Sequence, residues 1–465
     1  MKYILQPHIS PVGYLGKKYA LFDSRKHKLQ VLDKERFSIL IRCNGKTELD
    51  SSEFSKKGAA FLRGLLRRKF ISEAAHGETR EVFRDYRYYA NPYYQSVEWS
   101  ITGACNSKCK HCFMSGRYGR YGNIPTDKCL EICRQLGECG IKEVTLTGGE
   151  PLLRYDFLQI VDGLTANHVH LSAILTNGTI LKEELLKGLS ERGLSPIFQL
   201  SYDGVGHHDW MRGVEGAEAK VLQAVDLLKK YGFYVAITMC LNRRNQYTIF
   251  DTLQACLRHG VDNFRVFQTR AEGEFLNYPE EFLPYEEVLQ RFAECIPQIR
   301  SAKVPIPVQL GNVLELGPKG KNYKTPYKRL LPRNKKKIVL RINSDLYLAP
   351  RGTCLPRFGL LTPETEKLYP NVFATPLQKI LSSKEYNKLA VCQVEDYLKR
   401  NPECENCQHF RRCITKWSGS GLVKDPQDLY RKNEEFCLYM QNDWCQKFEK
   451  ICKVWYNEPL AVKVL

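Results

Sequence analysis

The 465-residue chain has no run of about 18 uninterrupted apolar residues, so no helix of it is expected to span a membrane. Its opening, MKYILQPHISPVGYLG, lacks the apolar stretch and small-residue cleavage site of a secretory signal, and a cytoplasmic location is expected. No repeat of fixed period and no low-complexity tract is present, which excludes a solenoid or a disordered array. Acidic residues are scarce beside basic ones, 51 against 70, for a net charge of +19. Such a charge points to an acidic partner or simply to a basic solvated surface. An aromatic-interleaved basic stretch that could stack single-stranded bases is also missing, so nucleic acid is not the expected partner.

Cysteine, by contrast, is abundant, with 18 residues. In a reducing compartment, cysteines at short spacings read as metal ligands rather than disulfides.

Three regions differ in texture. Residues 1–80 hold strand-like KYALFD (18–23) and KLQVLD (28–33), separated by the turn-prone Ser24-Arg25-Lys26-His27. A helix over ERFSILIRCNG follows, with Phe37, Leu40 and Ile41 at helical spacing and Gly45 expected at its C-terminal stop. A second helix, GAAFLRGLLRRKFI, places Phe61, Leu62, Leu65 and Leu66 on one face. Residues 81–95 read as a linker. From 96 to 310 strands and helices alternate, with strands expected at 97–102, 143–147, 169–176, 196–202, 233–239 and 263–268. Six β/α units in series predict a parallel sheet rolled into a full or partial barrel, with the chemistry at the C-terminal strand ends. Residues 311–465 are rich in cysteine and lysine with little periodicity, and are expected to be loops pinned by metal.

Directly after the first strand comes Cys105-Asn-Ser-Lys-Cys109-Lys-His-Cys112. Three thiolates at this spacing can hold three irons of a [4Fe–4S] cubane and leave the fourth open to a chelating ligand. A structural zinc site is the competing reading, but it normally takes four protein ligands. After the second strand stands Thr147-Gly148-Gly149-Glu150-Pro151, where glycines let the backbone approach a ligand closely. Asn177 follows the third strand; Ser201-Tyr202-Asp203-Gly204, His208-Asp209 and Arg212-Gly213 follow the fourth. Cys129 and Cys133, four apart on one helix, read as core residues.

These motifs, in this order, resemble the radical S-adenosylmethionine (SAM) superfamily. The resemblance implies a partial (β/α)6 barrel of the α/β class, with Cys105, Cys109 and Cys112 holding the cluster that cleaves SAM. It implies that Gly148, Gly149 and Glu150 bind the SAM amino group. Ser201 and Asp203 are implied for the ribose, Arg212 for the carboxylate, Asn177 for a further SAM contact and His111 for the adenine.

Toward the C-terminus, Cys404, Cys407, Cys413 and Cys437 can ligate either zinc or a second cluster. Following such a barrel they resemble a reduced, iron–sulfur SPASM-like domain with one auxiliary [4Fe–4S] cluster. Trp417 stands where that family has a further cysteine, and its upstream cysteine pair is reduced to Cys354. Freed of a cluster, Cys354 is a candidate catalytic hydrogen-atom donor, or else a buried inert thiol. Cys392, Cys445 and Cys452 have no assigned role and could supply further ligands.

The N-terminal region, winged-helix-like in outline, resembles the PqqD-like element that takes a leader peptide as an added strand. Residues 1–95 carry 19 Lys/Arg and 10 Asp/Glu, a net +9 that suits an acidic leader. The resemblance thus implies a maturase of a ribosomally made precursor peptide, with flavodoxin or ferredoxin as electron donor. A 5′-deoxyadenosyl radical would take hydrogen from a core residue, leading to a thioether or carbon–carbon cross-link. A peptide epimerase using a cysteine donor is the second reading, and a metal-stabilised nucleic-acid-binding protein the third.

Overall fold

The computed structural model describes residues 1–14, 18–23, 25, 28–80, 91, 94–318, 323–324, 339–341, 346–357, 360–414, 425 and 427–454. Trp417 and most of the linker lie outside these residues, as does the side chain of Cys392.

The N-terminal region contains β1 (Lys2–Leu5), β2 (Ile9–Tyr14), β3 (Lys18–Asp23), β4 (Lys28–Leu32), α1 (Lys34–Arg42), β5 (Asn44–Glu48), α2 (Lys56–Arg67) and β6 (Ile71–Glu73). They form two antiparallel sheets, ordered β2-β3-β4 and β5-β1-β6. Both helices begin at side-chain caps, where Asp33 accepts from the Arg36 amide and Ser55 from that of Gly58. Phe37 and Leu40 of α1 pack against Phe61, Leu62 and Leu65 of α2, as their spacing predicts. Leu66 departs from the expected face: it is 37% exposed, one step of about 100° around the helix from Leu65. Gly45 is also not the helix stop. It lies in β5 at φ 78°, where a Cβ would come 2.1 Å from the Glu78 carbonyl oxygen.

The expected barrel strands are present, each starting within two residues of its predicted position. They are β7 (Ser96–Ser100), β8 (Glu143–Thr147), β9 (His170–Thr176), β10 (Ile197–Ser201), β11 (Val235–Leu241) and β12 (Asn263–Gln268). They lie side by side in chain order, all parallel, with α3 (Thr126–Glu138), α4 (Phe157–Ala166), α5 (Glu183–Glu191), α7 (Ala217–Lys230) and α8 (Ile249–Arg258) in the crossovers. A short α6 (His208–Arg212) precedes α7, and α9 (Tyr285–Ser301) leads to β13 (Val308–Leu310), again parallel to its neighbour. Right-handed crossovers in one direction put the helices on one face, so such a sheet curls around its other face.

The sheet continues past residue 310. Strands β14 (Leu314–Leu316) and β15 (Tyr323–Lys324) extend one edge antiparallel. The short β16 (Val339–Arg341) lies outside this sheet and pairs with Val391–Gln393. At the other edge β17 (Leu346–Leu348) joins β7 in parallel, and β18 (Cys354–Leu355) turns back on β17. Eight parallel strands therefore stand in a row within an 11-stranded sheet.

Alternation along the strands separates two faces. Trp99, Leu146, Phe198, Leu200, Phe264 and Val266 are fully buried beneath the helices. Thr145, Gln199, Ser201, Thr238, Arg265 and Gln309 alternate with such residues, face the lumen and are half-buried. The lumen is thus polar and open.

The C-terminal region corrects the expectation of loops. It carries short helices at Pro363–Leu368, Leu377–Ser382, Lys384–Leu389, Val394–Arg400, Phe410–Cys413 and Glu434–Gln441, and a longer one at Trp444–Val454. Most span one or two turns, too few for a period to show. On the last, Trp444, Phe448 and Cys452 repeat every fourth residue and are buried. Cys445 is buried as well, and burial raises the Cys452 thiol to about 11, so both behave as core residues. Among the described residues no helix is long and apolar enough to cross a membrane.

Candidate active site

Three neighbouring segments hold the cysteine loop that follows β7. The Gly149 amide donates to Thr102 O at 2.9 Å and the Glu150 amide to Ala104 O at 2.8 Å. A Cβ on Gly149 would fall 2.1 Å from Ala104 O, which explains why the second glycine cannot carry a side chain there. On the opposite side, the amides of Lys108 and Lys110 donate to Arg212 O and Met211 O, both at 2.9 Å. Gly213, at φ 62°, lets this strap close over Lys108. Behind the third cysteine, the Glu274 amide donates to Cys112 O at 3.0 Å and Gly273 makes the close approach. Gly273 carries no family motif, but its place just after β12 puts it where a barrel bears chemistry.

Each cysteine sulfur has a donor aimed at it. The Ser107 amide lies 3.4 Å from Cys105 Sγ, the Gly116 amide 3.3 Å from Cys112 Sγ, and Arg212 Nη1 3.5 Å from Cys109 Sγ. Burial raises the Cys105 thiol to about 12 and also raises Cys109, against the pull of Arg212. Thiolates here would need a compensating cation, and three sulfurs ringed by N–H donors fit a cluster held at three irons. A mononuclear zinc site fits less well. It would draw sulfurs about 2.3 Å from one ion, whereas among the described residues the grouping of possible ligand atoms within 4.8 Å is that of His111, Asp203 and Cys240.

The Glu150 carboxylate closes the loop from behind. It accepts from Thr176 Oγ1 and the Asn177 amide, both at 2.8 Å, and from the Leu152 amide at 3.1 Å. Burial outweighs these bonds and raises its carboxyl to about 7. A ligand ammonium would meet a group poised to ionise. Asn177 ties β9 to the cysteine loop through Asn106 Oδ1 at 2.8 Å and Ser107 Oγ at 3.2 Å.

Asp203 is fully buried. Its carboxylate meets Arg212 Nη2 at 2.7 Å and accepts from the Cys240 amide at 3.0 Å. Burial alone would raise this carboxyl, but Arg212 holds it well below the ordinary range. The two residues thus form one buried unit that aims a guanidinium at Cys109, while Ser201 faces the lumen one position before Tyr202. Burial, and then Arg212, lower His111 to about 4, so its ring is neutral near pH 7.

Of its two readings, Cys354 takes the setting of the buried thiol. It lies in the outer core with Leu346 and Leu348, whereas Tyr347 and Leu355 face the packing that includes Cys112 and Phe113. Strand alternation therefore turns the Cys354 thiol away from the cysteine loop, and burial raises it far above an ordinary thiol. Tyr386 donates to its carbonyl oxygen. Its setting is that of a core residue.

The second cysteine set gathers around the helix Phe410–Cys413. Burial raises Cys413 to about 12, with Cys437, Cys404 and Cys407 each adding to the rise, so the four thiols bear on one another. Burial raises Cys404 and Cys437 as well, against the pull of Lys432, which is paired with Glu403 at 2.9 Å. Four thiols with a nearby cation can hold a fully ligated cluster or a tetrahedral ion.

Residues 99–256 match the family model of the radical SAM superfamily. The chain carries a radical SAM domain. The subtilosin biosynthesis protein AlbA of Bacillus subtilis is 26% identical over 213 residues, 43% of this chain and 47% of that one. The AdoMet-dependent heme synthase of Methanosarcina barkeri is 29% identical over 364 residues, 73% and 97% of the two chains. The chain spans about half the length of the first curated relatives it matches, 42% to 56%. Among solved structures, Streptococcus suis SuiB bound to its precursor peptide SuiA superposes with a TM-score of 0.63 at 14% identity. The match covers 93% of this chain and 99% of SuiB, and shows a likeness of fold.

Proposed function

We propose that this protein is a peptide maturase in which the radical SAM domain acts on a ribosomally made precursor. The observation that carries the reading is the edge of β4, which among the described residues pairs with β3 alone in its sheet. A groove of about 620 Å³ opens beside it, lined by Gln30, Arg36, Lys57, Phe61, Arg67 and Arg68. An extended peptide can add to this edge as a strand, and the basic wall favours an acidic leader. The N-terminal region then acts as a PqqD-like recognition element. That AlbA is named for bacteriocin biosynthesis, and SuiB was solved with a precursor peptide, supports this choice of substrate.

In this reading Cys105, Cys109 and Cys112 would hold a [4Fe–4S] cluster beside the SAM-binding residues. Together the two cofactors supply one-electron chemistry that removes a hydrogen atom from carbon. Glu150 holds the SAM ammonium, Ser201 contacts the ribose, and the neutral ring of His111 packs on the adenine. Arg212, fixed by Asp203, keeps a positive charge against Cys109 and toward the SAM carboxylate. The lumen orients the target C–H. Cys404, Cys407, Cys413 and Cys437 hold one auxiliary cluster in a reduced SPASM-like domain. Such a cluster would supply a second redox centre, as an oxidative thioether or carbon–carbon cross-link requires. Flavodoxin or ferredoxin is the proposed donor, and a reducing cytoplasm suits so many free thiols.

Anaerobic co-expression with the small peptide encoded beside the gene tests this. A loss of about two hydrogen masses that vanishes when Cys105, Cys109 and Cys112 become alanine supports oxidative cross-linking. An unchanged mass with deuterium uptake at one α-carbon supports epimerisation instead. No change in any such peptide, with turnover of a tetrapyrrole, overturns the maturase reading in favour of the chemistry named for the heme synthase relatives.

A further inference from the structure

We propose that Arg265 makes the wall of the barrel lumen a carboxylate-binding subsite for the core segment of the substrate peptide, an assignment that rests on the maturase reading. Arg265 lies on β12 in one lateral row with Ser201, Thr238 and Gln309, which the strand register sets side by side on the lumen face. Two residues further along, Phe267 is in register with Cys240, whose sulfur lies within 4.8 Å of ligand atoms of His111 and Asp203. At about 3.3 Å per residue, the backbone row of Arg265 therefore stands about 7 Å along the strand from the row that borders the cysteine loop. Arg265 thus lies on the lumen wall one lumen-facing row below the one that borders the cysteine loop.

The guanidinium is clasped by neutral partners. Nη1 donates to Gln199 Oε1 at 2.8 Å, and Nε donates to Gln309 Oε1 at 3.1 Å. Gln309 is itself held by its amide bond to Gly311 O at 3.1 Å. Among the described residues no carboxylate comes within ion-pairing distance of Arg265, and burial acts on it without a counter-charge. A half-buried cation without an anion is unfavourable, and here two amides fix its direction while leaving its charge uncancelled. Of its five N–H donors two are used, so one edge of the fork remains for a bidentate anion. Beside it, Thr238 Oγ1 is buried with no hydrogen-bond partner among the described residues, and the Phe267 ring lies 5.4 Å from the guanidinium carbon. Cation, hydroxyl and ring together suit a carboxylate on a short aliphatic stem.

That carboxylate can be an acidic side chain or the C-terminus of the peptide. The test uses the holoenzyme with the precursor peptide encoded beside its gene. Each core Asp or Glu is changed in turn to its amide, and one further peptide has an amidated C-terminus. With wild-type enzyme, one of these peptides loses about 10- to 100-fold in kcat/KM. In Arg265→Gln that peptide shows no further loss relative to the unaltered one, and Arg265→Lys recovers part of the activity. SAM cleavage without peptide, iron content and leader affinity stay at wild-type levels in both variants, which separates the effect from misfolding. Crystals soaked in bromide show an anomalous peak against Arg265 that is gone in Arg265→Gln. No bromide at Arg265, or an Arg265→Gln enzyme that lowers every peptide equally, overturns the subsite. If bromide binds but wild-type enzyme modifies no peptide, the maturase reading falls, and the peptide carboxylate falls with it.

Discussion

Arg212 Nη2 lies 2.7 Å from Asp203 Oδ2, and both side chains are almost wholly withdrawn from solvent. The pair carries the strap 211–213 that the cysteine loop leans on, and it presents Nη1 to Cys109. Removing one partner of a buried pair leaves the other charge uncompensated, at a cost of about 3–5 kcal/mol. Asp203→Asn is expected to lower apo-protein stability on that scale in denaturant melts and to reduce iron bound at the first cluster. Wild-type stability in the variant would show that the pair is not coupled to folding.

The two-glycine segment predicts a contrast. Gly149→Ala would drive a methyl against Ala104 O, and is expected to lose cluster iron and SAM binding together. Gly64→Ala, in the interior of α2 with nothing within 4 Å, is expected to stabilise the chain by about 0.5–1 kcal/mol. Melting temperature and iron content of the two variants decide it.

Glu150 gives a pH dependence. Its carboxyl is raised from 4.5 to about 7, so near pH 6 the folded apo-protein keeps a proton that the unfolded chain has lost. The stability it contributes is full below pH 4.5 and fades as pH climbs through about 7. A bound ammonium favours the ionised form, so SAM affinity of wild type should rise over the same window. Glu150→Gln should remove both slopes. Titration calorimetry and urea melts at several pH values would expose a slope that persists in the variant.

Cys354→Ala is expected to leave the product unchanged and to lower stability by about 1 kcal/mol, as for a small core residue. A variant that folds normally but stalls with substrate hydrogen removed and not returned would reinstate the thiol as a donor.

For the second cysteine set, replacing Cys407 and Cys413 together should lower bound iron from about eight to about four per chain while SAM cleavage persists. Zinc in place of the missing iron, found by elemental analysis of wild type, would reject an auxiliary cluster.

The legible parts of this protein are those written locally. The spacing of Cys105, Cys109 and Cys112, the Gly148-Gly149-Glu150 turn and the alternation of the barrel strands each lie within a few residues, so period and spacing disclose them. The same locality limits what spacing and period can disclose. Gly45 looks like a helix stop because the crossing segment at Glu78 is 33 residues away. Cys354 looks available because its face is set by the pairing of β18 with β17 and of β17 with β7. Three-residue strands such as β17 carry no pattern of their own. The unit of Arg212 with Asp203 and Cys109, and the clasp of Arg265 by Gln199 and Gln309, join residues on different strands and loops. By itself the sequence determined which residue types stand at the ends of which strands. Only the tertiary structure decided which of them meet, because burial and charge pairing depend on neighbours that the curl of the sheet brings together from far along the chain.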